Sequence, residues 1–282
     1  MLLRFTKMHG LGNDFVLLDL ISQDLTIRKD HIRALADRRL GIGFDQLLIV
    51  EPPTSPEADF KYTIFNADGT EAEQCGNGAR CFLRFVRDRG LTTKTTIVLE
   101  TNTGVISCHL EKDGNITVDM GAPILTPACI PFIADKSRIL YPISVHPPLC
   151  NVAEELSISV ISMGNPHAVI LVDDIDTTPV AKLGPLVENH EKFPARVNVG
   201  FMQVVSRTHL RLRVFERGVG ETLACGTGAC AAMVAGRLQG LLDENVTVTL
   251  PGGDLQVSWN GDKTTVKMTG PACSVYEGRL HL

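Results

Sequence analysis

Two segments of this chain repeat one another around a cysteine. Phe65-Asn-Ala-Asp-Gly-Thr-Glu-Ala-Glu-Gln-Cys75-Gly-Asn-Gly-Ala79 is matched by Phe215-Glu-Arg-Gly-Val-Gly-Glu-Thr-Leu-Ala-Cys225-Gly-Thr-Gly-Ala229, and each match runs on through an apolar stretch to a glycine at the same offset, Gly90 and Gly240. An apolar run closed by glycine is the pattern of a helix with a C-terminal stop. The repeat therefore predicts helices over Cys75–Arg89 and Cys225–Leu241, each with its cysteine at the N-terminus. Each copy brings its own helix and turn signals, so the chain is expected to fold as two similar domains.

The matching continues upstream. Gly12-Asn13 before one strand pattern resembles Gly164-Asn165 before another, and Gly43-Phe-Asp-Gln46 resembles Gly200-Phe-Met-Gln203, in the same order. A length of 282 residues also suits two domains of ordinary size. The Pro-rich stretch from Gly121 to Pro148 reads as a linker and peripheral excursion, which sets the expected domains at 1–123 and 124–271.

Short β-branched or alternating runs separated by Gly, Asn, Asp and Pro outnumber helical patterns. They predict strands over Phe15–Leu20, Gln46–Val50, Lys61–Phe65, Thr96–Glu100, Ile106–Leu110, Ile116–Met120, Leu156–Ser162, Ala168–Val172, Phe201–Ser206, Leu210–Phe215, Val246–Leu250, Leu255–Trp259 and Thr264–Thr269. A third helix is expected over Asp30–Leu40, with Asp30 as N-cap and Gly41 as stop. The fold class is strand-rich α+β. The Ala229–Ala235 run has almost no polar break, so that helix should be buried on all sides, as by a sheet wrapped around it.

With 44% hydrophobic residues and a net charge of −5, the chain suits a globular protein and has no electrostatic call for nucleic acid or an anionic membrane. The N-terminus lacks the apolar core of a secretory signal, and no stretch reaches the ~20 apolar residues of a membrane span. A cytoplasmic protein with its eight cysteines reduced is expected.

A thiol at a helix start meets unpaired N–H groups and a partial positive charge, which lower its pKa from about 8.5 and make it a base. Two thiols placed by a duplicated unit can serve one small molecule, one removing a proton and the other donating one, as inversion of a stereocentre requires. Cys81 and Cys230 lie further along their helices and read as core. Neither the Cys75/Cys81 nor the Cys225/Cys230 spacing forms a paired zinc pattern, and C-x-x-C is absent. A P-loop and a dinucleotide fingerprint are also missing, so neither metal nor organic cofactor is expected. A Cys–His hydrolase using His9 or His167 is arithmetically open but leaves the second cysteine without a purpose.

Backbone N–H groups of Gly76, Asn77, Gly226 and Thr227 can hold a carboxylate at the two helix starts. Asn13, Asn66, Asn165 and Asn198 sit beside glycines or at strand ends, where an asparagine is either a local cap or a ligand-binding group. Arg217 offers a fork for a carboxylate and Glu216 an acceptor for an ammonium; the alternative for both is an exposed ion pair. His167 is either a proton-shuttling neighbour of a thiol or a turn residue.

Met8-His-Gly-Leu-Gly-Asn-Asp-Phe15, Asn66-Ala-Asp-Gly69, Gln74-Cys-Gly-Asn-Gly-Ala-Arg-Cys81, Met163-Gly-Asn-Pro-His167, Asn198-Val-Gly-Phe201 and Phe215-Glu-Arg-Gly-Val-Gly-Glu-Thr222 through Cys230 together resemble the diaminopimelate epimerases. The resemblance spans nearly the whole chain. It implies two pseudo-symmetric domains, each a barrel-like sheet around a central helix, with the C-terminal strand (272–282, around Tyr276) returning to the first. It also implies a cytoplasmic homodimer that interconverts LL- and meso-2,6-diaminopimelate without a cofactor, for lysine and peptidoglycan synthesis. By position, Cys75 and Cys225 match the acid/base pair, with His167 and Glu216 assisting. Asn13, Gln46, Asn66, Asn165, Asn198, Glu216 and Arg217 match substrate-holding positions, while Gly76, Asn77, Gly226 and Thr227 match the carboxylate-binding helix starts. Thr70 stands where serine is frequent. A proline or hydroxyproline racemase shares the architecture but has no need of Arg217 and the asparagine set, and a binding or thiol-redox protein is the alternative of another class.

Overall fold

A computed structural model describes residues 2–72, 75–146 and 154–281. Within it the chain divides into two units, residues 1–119 with 269–282 and residues 120–268.

The first unit contains β1 (Leu2–Gly10), β2 (Asn13–Asp19), α1 (Lys29–Ala36), β3 (Gln46–Glu51), β4 (Phe60–Asn66), α2 (Gly76–Asp88), β5 (Thr96–Thr101), β6 (Gly104–Leu110) and β7 (Ile116–Asp119). The second contains β8 (Tyr141–Val145), β9 (Glu154–Ser162), β10 (Pro166–Leu171), α3 (Val180–Glu188), β11 (Asn198–Ser206), β12 (His209–Glu216), β13 (Gly220–Thr222), α4 (Gly226–Leu238), β14 (Asn245–Leu250) and β15 (Gly253–Ser258). The chain leaves the second unit within β16 (Lys267–Gly270) and ends in β17 (Cys273–His281), which pairs antiparallel with β1.

The duplication is visible in the pairing senses. In the first unit β1–β2 is antiparallel, β2–β3 parallel, β3–β4 antiparallel, β4–β5 parallel and β5–β6 antiparallel. Pairs β9–β10, β10–β11, β11–β12, β12–β14 and β14–β15 repeat that alternation in the second. A parallel pair needs a crossover, and α-helices supply these: α1 between β2 and β3, α2 between β4 and β5, and α3 and α4 at the matching places.

The crossovers put a helix on each face of the central strands. Val16 and Leu18 of β2 and Leu47 and Ile49 of β3 pack with Ile32 and Leu35 of α1. Their alternating neighbours Phe15, Leu17, Leu48 and Val50 are fully buried on the other face. Burial on both faces explains why these strands read as unbroken apolar runs. In the second unit Ala168, Ile170, Val199 and Phe201 pack with Leu183 and Val187 of α3 in the same way.

Helix α2 touches β1, β2 and β3 and also β6, β7 and β17, strands from both ends of its unit's pairing order. A sheet can reach one helix from both ends only by curling around it. Helix α4 likewise touches β9 to β12, β14 and β15, and Gly228 to Gly236 are all buried. Helices of this length with glycine-rich first turns are marginal on their own. Packing holds them: each buried Leu, Val or Phe such as Phe82, Leu83 and Val86 contributes about 1.5–3 kcal/mol. Both end alike. Gly90 and Gly240 adopt φ +69° and +74°, and the N–H groups of Leu91 and Leu241 bond back to the carbonyls of Val86 and Gly236, a Schellman closure.

Several expectations need correction. Helix α1 spans Lys29–Ala36 with Arg28 rather than Asp30 at its N-cap. It stops short because Asp37 turns its carboxylate onto the N–H groups of Arg39 and Leu40, forming an Asx turn that competes with the helix. The Pro-rich stretch is no peripheral excursion: Tyr141, Ile143 and Val145 of β8 are buried against β9, and Ile130 and Phe132 join the same core. Pro147, Pro148 and Cys150 lie outside the described residues. The strand expected over Thr264–Thr269 begins only at Lys267, because Thr264 closes a turn onto Gly261. Helix α3 has no forecast at all, since Gly184 and Pro185 disguise it.

The apparent match of Gly43-Phe-Asp-Gln46 with Gly200-Phe-Met-Gln203 also dissolves. Strand β2 pairs Phe15 with Gln46, and β10 pairs His167 with Asn198. Gln46 and Asn198 are therefore the equivalent positions, each opening its strand, while Gln203 lies near the far end of β11.

Candidate functional site

Each unit concentrates polar side chains where one helix begins. Cys75 and Cys225 are the N-cap residues of α2 and α4, in extended conformation with φ −143° and −119°. The extended N-cap conformation and the helix leading out leave each thiol at the helix start, with Gly76 and Asn77, or Gly226 and Thr227, as the first two helical residues.

In the first unit the Cys75 sulfur accepts a hydrogen bond from Gly78 N–H at 3.4 Å, as an N-cap side chain does. The thiol lies 3.8 Å from Asn13 Oδ1, to which Asn77 also donates from Nδ2 at 3.2 Å. Tyr62 of β4 donates from its hydroxyl to the Cys75 carbonyl at 3.3 Å. Gly78 is glycine for a steric reason: a Cβ there would fall 2.2 Å from that hydroxyl. Gln46 donates to Asn66 Oδ1 at 3.0 Å, and Asn66 is anchored by Thr70 through both its backbone and its side chain. Asn13, Cys75 and Asn77 thus form one hydrogen-bonded group, and Gln46 with Asn66 another. Gln74 is outside the described residues.

In the second unit Cys225 is buried, 4% exposed, with Thr227 Oγ1 at 3.6 Å. Burial pushes its thiol well above the ordinary value, and the adjoining Glu216 carboxylate, which accepts the thiol's hydrogen bond, adds to the effect, so Cys225 is held protonated. The helix start alone would have lowered it; desolvation wins. Glu216 is itself braced by Thr222 Oγ1 at 2.5 Å.

His167 is 1% exposed, with Nε2 3.0 Å from Asn165 Oδ1 and, among the described residues, no hydrogen-bond partner at Nδ1. Burial, reinforced by the positive charge of Arg217, pushes its pKa down to about 3, so the ring is neutral at physiological pH. Asn198 accepts from Arg217 N–H at 2.9 Å and donates to Pro166 O at 3.2 Å, joining β11, β10 and the turn after β12. The Arg217 guanidinium is held by Ala195 O at 3.1 Å.

Two participants had no sequence signal. Glu188, at the end of α3 and 5% exposed, accepts from Gly218 N–H at 2.8 Å and from Arg196 at 3.2 Å, fixing the turn that carries Glu216 and Arg217. Tyr62 was equally silent, lying within an apolar strand pattern. Cys81 and Cys230 are fully buried in the cores of their units. Among the described residues, no three His, Cys, Asp or Glu side chains are grouped to hold a metal ion, and no helix is long and apolar enough to cross a membrane.

The sequence model of the family described as diaminopimelate epimerase matches residues 5–126 and 159–275. The chain is 56% identical to a diaminopimelate epimerase of Ectopseudomonas mendocina and 57% identical to one of Nitrosomonas europaea, in both cases over 282 residues and 100% of each chain. Among solved structures it is similar to a hydroxyproline epimerase from Agrobacterium vitis, with a TM-score of 0.73, 15% identity and coverage of 99% and 92% of the two chains. It is also similar to a phenazine biosynthesis protein of the PhzF family from Bacillus anthracis, with a TM-score of 0.67, 17% identity and full coverage of both. At such low identity these two likenesses speak for the fold alone.

Proposed function

The chain belongs to the diaminopimelate epimerase family, and on that premise we propose that it interconverts LL- and meso-2,6-diaminopimelate with Cys75 and Cys225 as an acid/base pair. The observation that carries the proposal is the placement of both thiols as N-cap residues of equivalent helices in a chain matched end to end by its relatives.

The reaction inverts one α-carbon. A thiolate removes the α-proton and a thiol returns one to the opposite face, so the two groups must differ in protonation at each encounter. Burial and Glu216 favour Cys225 as the proton donor at first encounter, and Cys75, half-exposed at a helix start, is left as the base. The same two groups in exchanged states run the reverse reaction.

The carboxylate beside the reacting carbon must accept charge as the proton leaves. N–H groups of Gly76, Asn77, Gly226 and Thr227 at two helix N-termini suit that task. Asn13, Gln46, Asn66, Asn165, Asn198, Glu216 and Arg217 are the groups we assign to holding the rest of the substrate. Arg217 with Asn66, Asn165 and Asn198 would receive the non-reacting amino-acid end, and so select a substrate with such a group at both ends. His167, neutral and buried, serves through Asn165 rather than as a charged base. We assign the two units to the two epimerase domains, and the protein to the cytoplasm as a homodimer supplying lysine and peptidoglycan synthesis, in keeping with its family.

The test is incubation of purified, reduced protein with LL-diaminopimelate in deuterated water without added cofactor. Formation of the meso isomer with deuterium at the α-carbon is expected. Failure of both signals in folded protein would overturn the proposal.

A further inference from the structure

The amides around Cys75 form a chain of hydrogen bonds whose direction is set at both ends by charged groups. At one end Arg80, fully buried, donates from Nη1 to Asn77 Oδ1 at 3.0 Å and from Nε to Pro271 O at 3.1 Å. A guanidinium has only donors, so Asn77 must turn its oxygen to Arg80 and its amino group away, where it donates to Asn13 Oδ1. At the other end Asp45 presents a carboxylate that only accepts. Its Oδ2 takes Asn13 Nδ2 at 2.9 Å and Asp14 N–H at 3.1 Å, while Oδ1 takes Arg38 at 2.7 Å.

An amide's oxygen and nitrogen are normally exchangeable by a flip. Here neither asparagine can flip without setting donor against donor or acceptor against acceptor. Asn13 consequently shows its oxygen to the Cys75 sulfur. We propose that Arg80 and Asp45 are positioning residues that fix the direction of the Arg80–Asn77–Asn13–Asp45 chain, so that Cys75 meets a hydrogen-bond acceptor rather than a donor.

The consequence is a counterweight. The helix start and Gly78 N–H favour the thiolate, whereas a carbonyl oxygen beside the sulfur favours the thiol. A base works best with its pKa near the working pH, and the two influences together poise Cys75 instead of leaving it permanently ionised. Among the described residues of the first unit, the other titratable or charged groups near this region are Tyr62 of β4, Cys81 of α2, Cys108 of β6 and Cys273 of β17, with His9 at the β1–β2 hairpin and the Lys7–Asp14–Arg38 cluster behind Asp45.

This deepens the proposed acid/base role of Cys75 and rests on it, but its test does not need turnover. The rate of Cys75 alkylation by iodoacetamide is followed against pH in the reduced full chain, with the peptide carrying Cys75 quantified by mass spectrometry. Asp45→Ala removes the acceptor that anchors Asn13 Nδ2, so the Asn13 oxygen is no longer held at the sulfur, and the midpoint should fall by about one pH unit, an approximately tenfold faster alkylation below the midpoint. Asp45→Glu should restore the wild-type curve. Asp45→Asn loses the charge but keeps an oxygen for the amide, so it should shift much less. Equal shifts in Asp45→Ala and Asp45→Asn would assign the effect to charge alone and overturn the proposal, as would an unmoved midpoint in folded Asp45→Ala. Arg80→Met is the harsher variant of the buried end; if it does not fold, the Asp45 series still decides. A shifted midpoint in a chain that fails to epimerise diaminopimelate would leave the relay standing and remove the functional reading.

Discussion

Around Cys75 the first unit places neutral amides and partial exposure; around Cys225 the second places a carboxylate and near-complete burial. The two surroundings come from one duplicated plan, so their differences can be read position by position. Asn66 becomes Glu216, Gln46 becomes Asn198, Phe15 becomes His167, Asn77 becomes Thr227 and Tyr62 becomes Leu212. The helix geometry is preserved while the electrostatics diverge. Two thiols in identical sites would have the same pKa and would ionise together, which is of no use to a reaction needing one of each form. Substituting a carboxylate for an amide beside one thiol, and burying it, separates the pair without moving the backbone.

The largest expected effect comes from removing either thiol. Cys75→Ala and Cys225→Ala should each lower kcat for epimerisation by about 10²–10⁴-fold, the usual contribution of a positioned acid or base, with far-ultraviolet circular dichroism unchanged. Full activity in either variant would end the two-thiol reading. Next in size is Glu216→Gln, which makes the Cys225 surroundings resemble those of Cys75. Because Glu216 helps to hold the thiol up, its neutral replacement should lower the Cys225 pKa, and the basic limb of the rate–pH profile should move to lower pH. We expect a shift of about one unit, the differential interaction of about 1.4 kcal/mol that a close charge supplies. An unmoved limb would show that burial alone sets the state of Cys225.

The shared plan was legible in the sequence because its markers are local: a cysteine, Gly-x-Gly, an apolar run and a stopping glycine. What distinguishes the two copies was not. The burial of Cys225 follows from strands distant in sequence, and the helix-start rule, applied to the residue alone, gave the wrong direction for its pKa. The Gln46 and Asn198 equivalence appears only in the strand register, whereas a chance likeness between Gln46 and Gln203 pointed elsewhere. Glu188 and Tyr62 were hidden for different reasons. One lies on a helix masked by Pro185, and the other is an aromatic in a buried strand, where packing is the ordinary explanation for the residue type.

Steric differences between the two helix starts give a paired test of stability. At Gly78 a Cβ would meet the Tyr62 hydroxyl at 2.2 Å, whereas at Gly228 it would meet Val214 at 3.0 Å and the Cys225 sulfur at 3.2 Å. Overfilling a packed interior costs about 1–3 kcal/mol, and Gly78→Ala should lie toward the upper end because Tyr62 is fully buried and must be displaced from the Cys75 carbonyl. Gly228→Ala needs only a few tenths of an ångström of movement. Denaturant midpoints of the two variants should therefore rank Gly78→Ala as the less stable, and the double variant Gly78→Ala with Tyr62→Phe should recover part of the loss. The reverse ranking would mean that the second unit is the more tightly built at its helix start.

The smallest effect concerns the Phe15 and His167 pair. His167 has a folded pKa of about 3 against an ordinary 6.5. The unfolded chain therefore binds a proton below pH 6.5 that the folded chain refuses until about pH 3. The stability contributed by the neutral ring is complete above 6.5 and declines as pH falls through that window, by at most about 1.4 kcal/mol per pH unit. Phe15 at the equivalent place has nothing to titrate. His167→Phe should thus flatten the decline in melting temperature between pH 6.5 and 5, the part of the window above the range where most carboxylates begin to protonate. The variant also breaks the contact with Asn165, so its stability at pH 7.5 should be lower than that of the parent, and the two curves should converge toward acid. Parallel curves across that interval would place the acid sensitivity on other groups and show that His167 is not kept neutral by its burial.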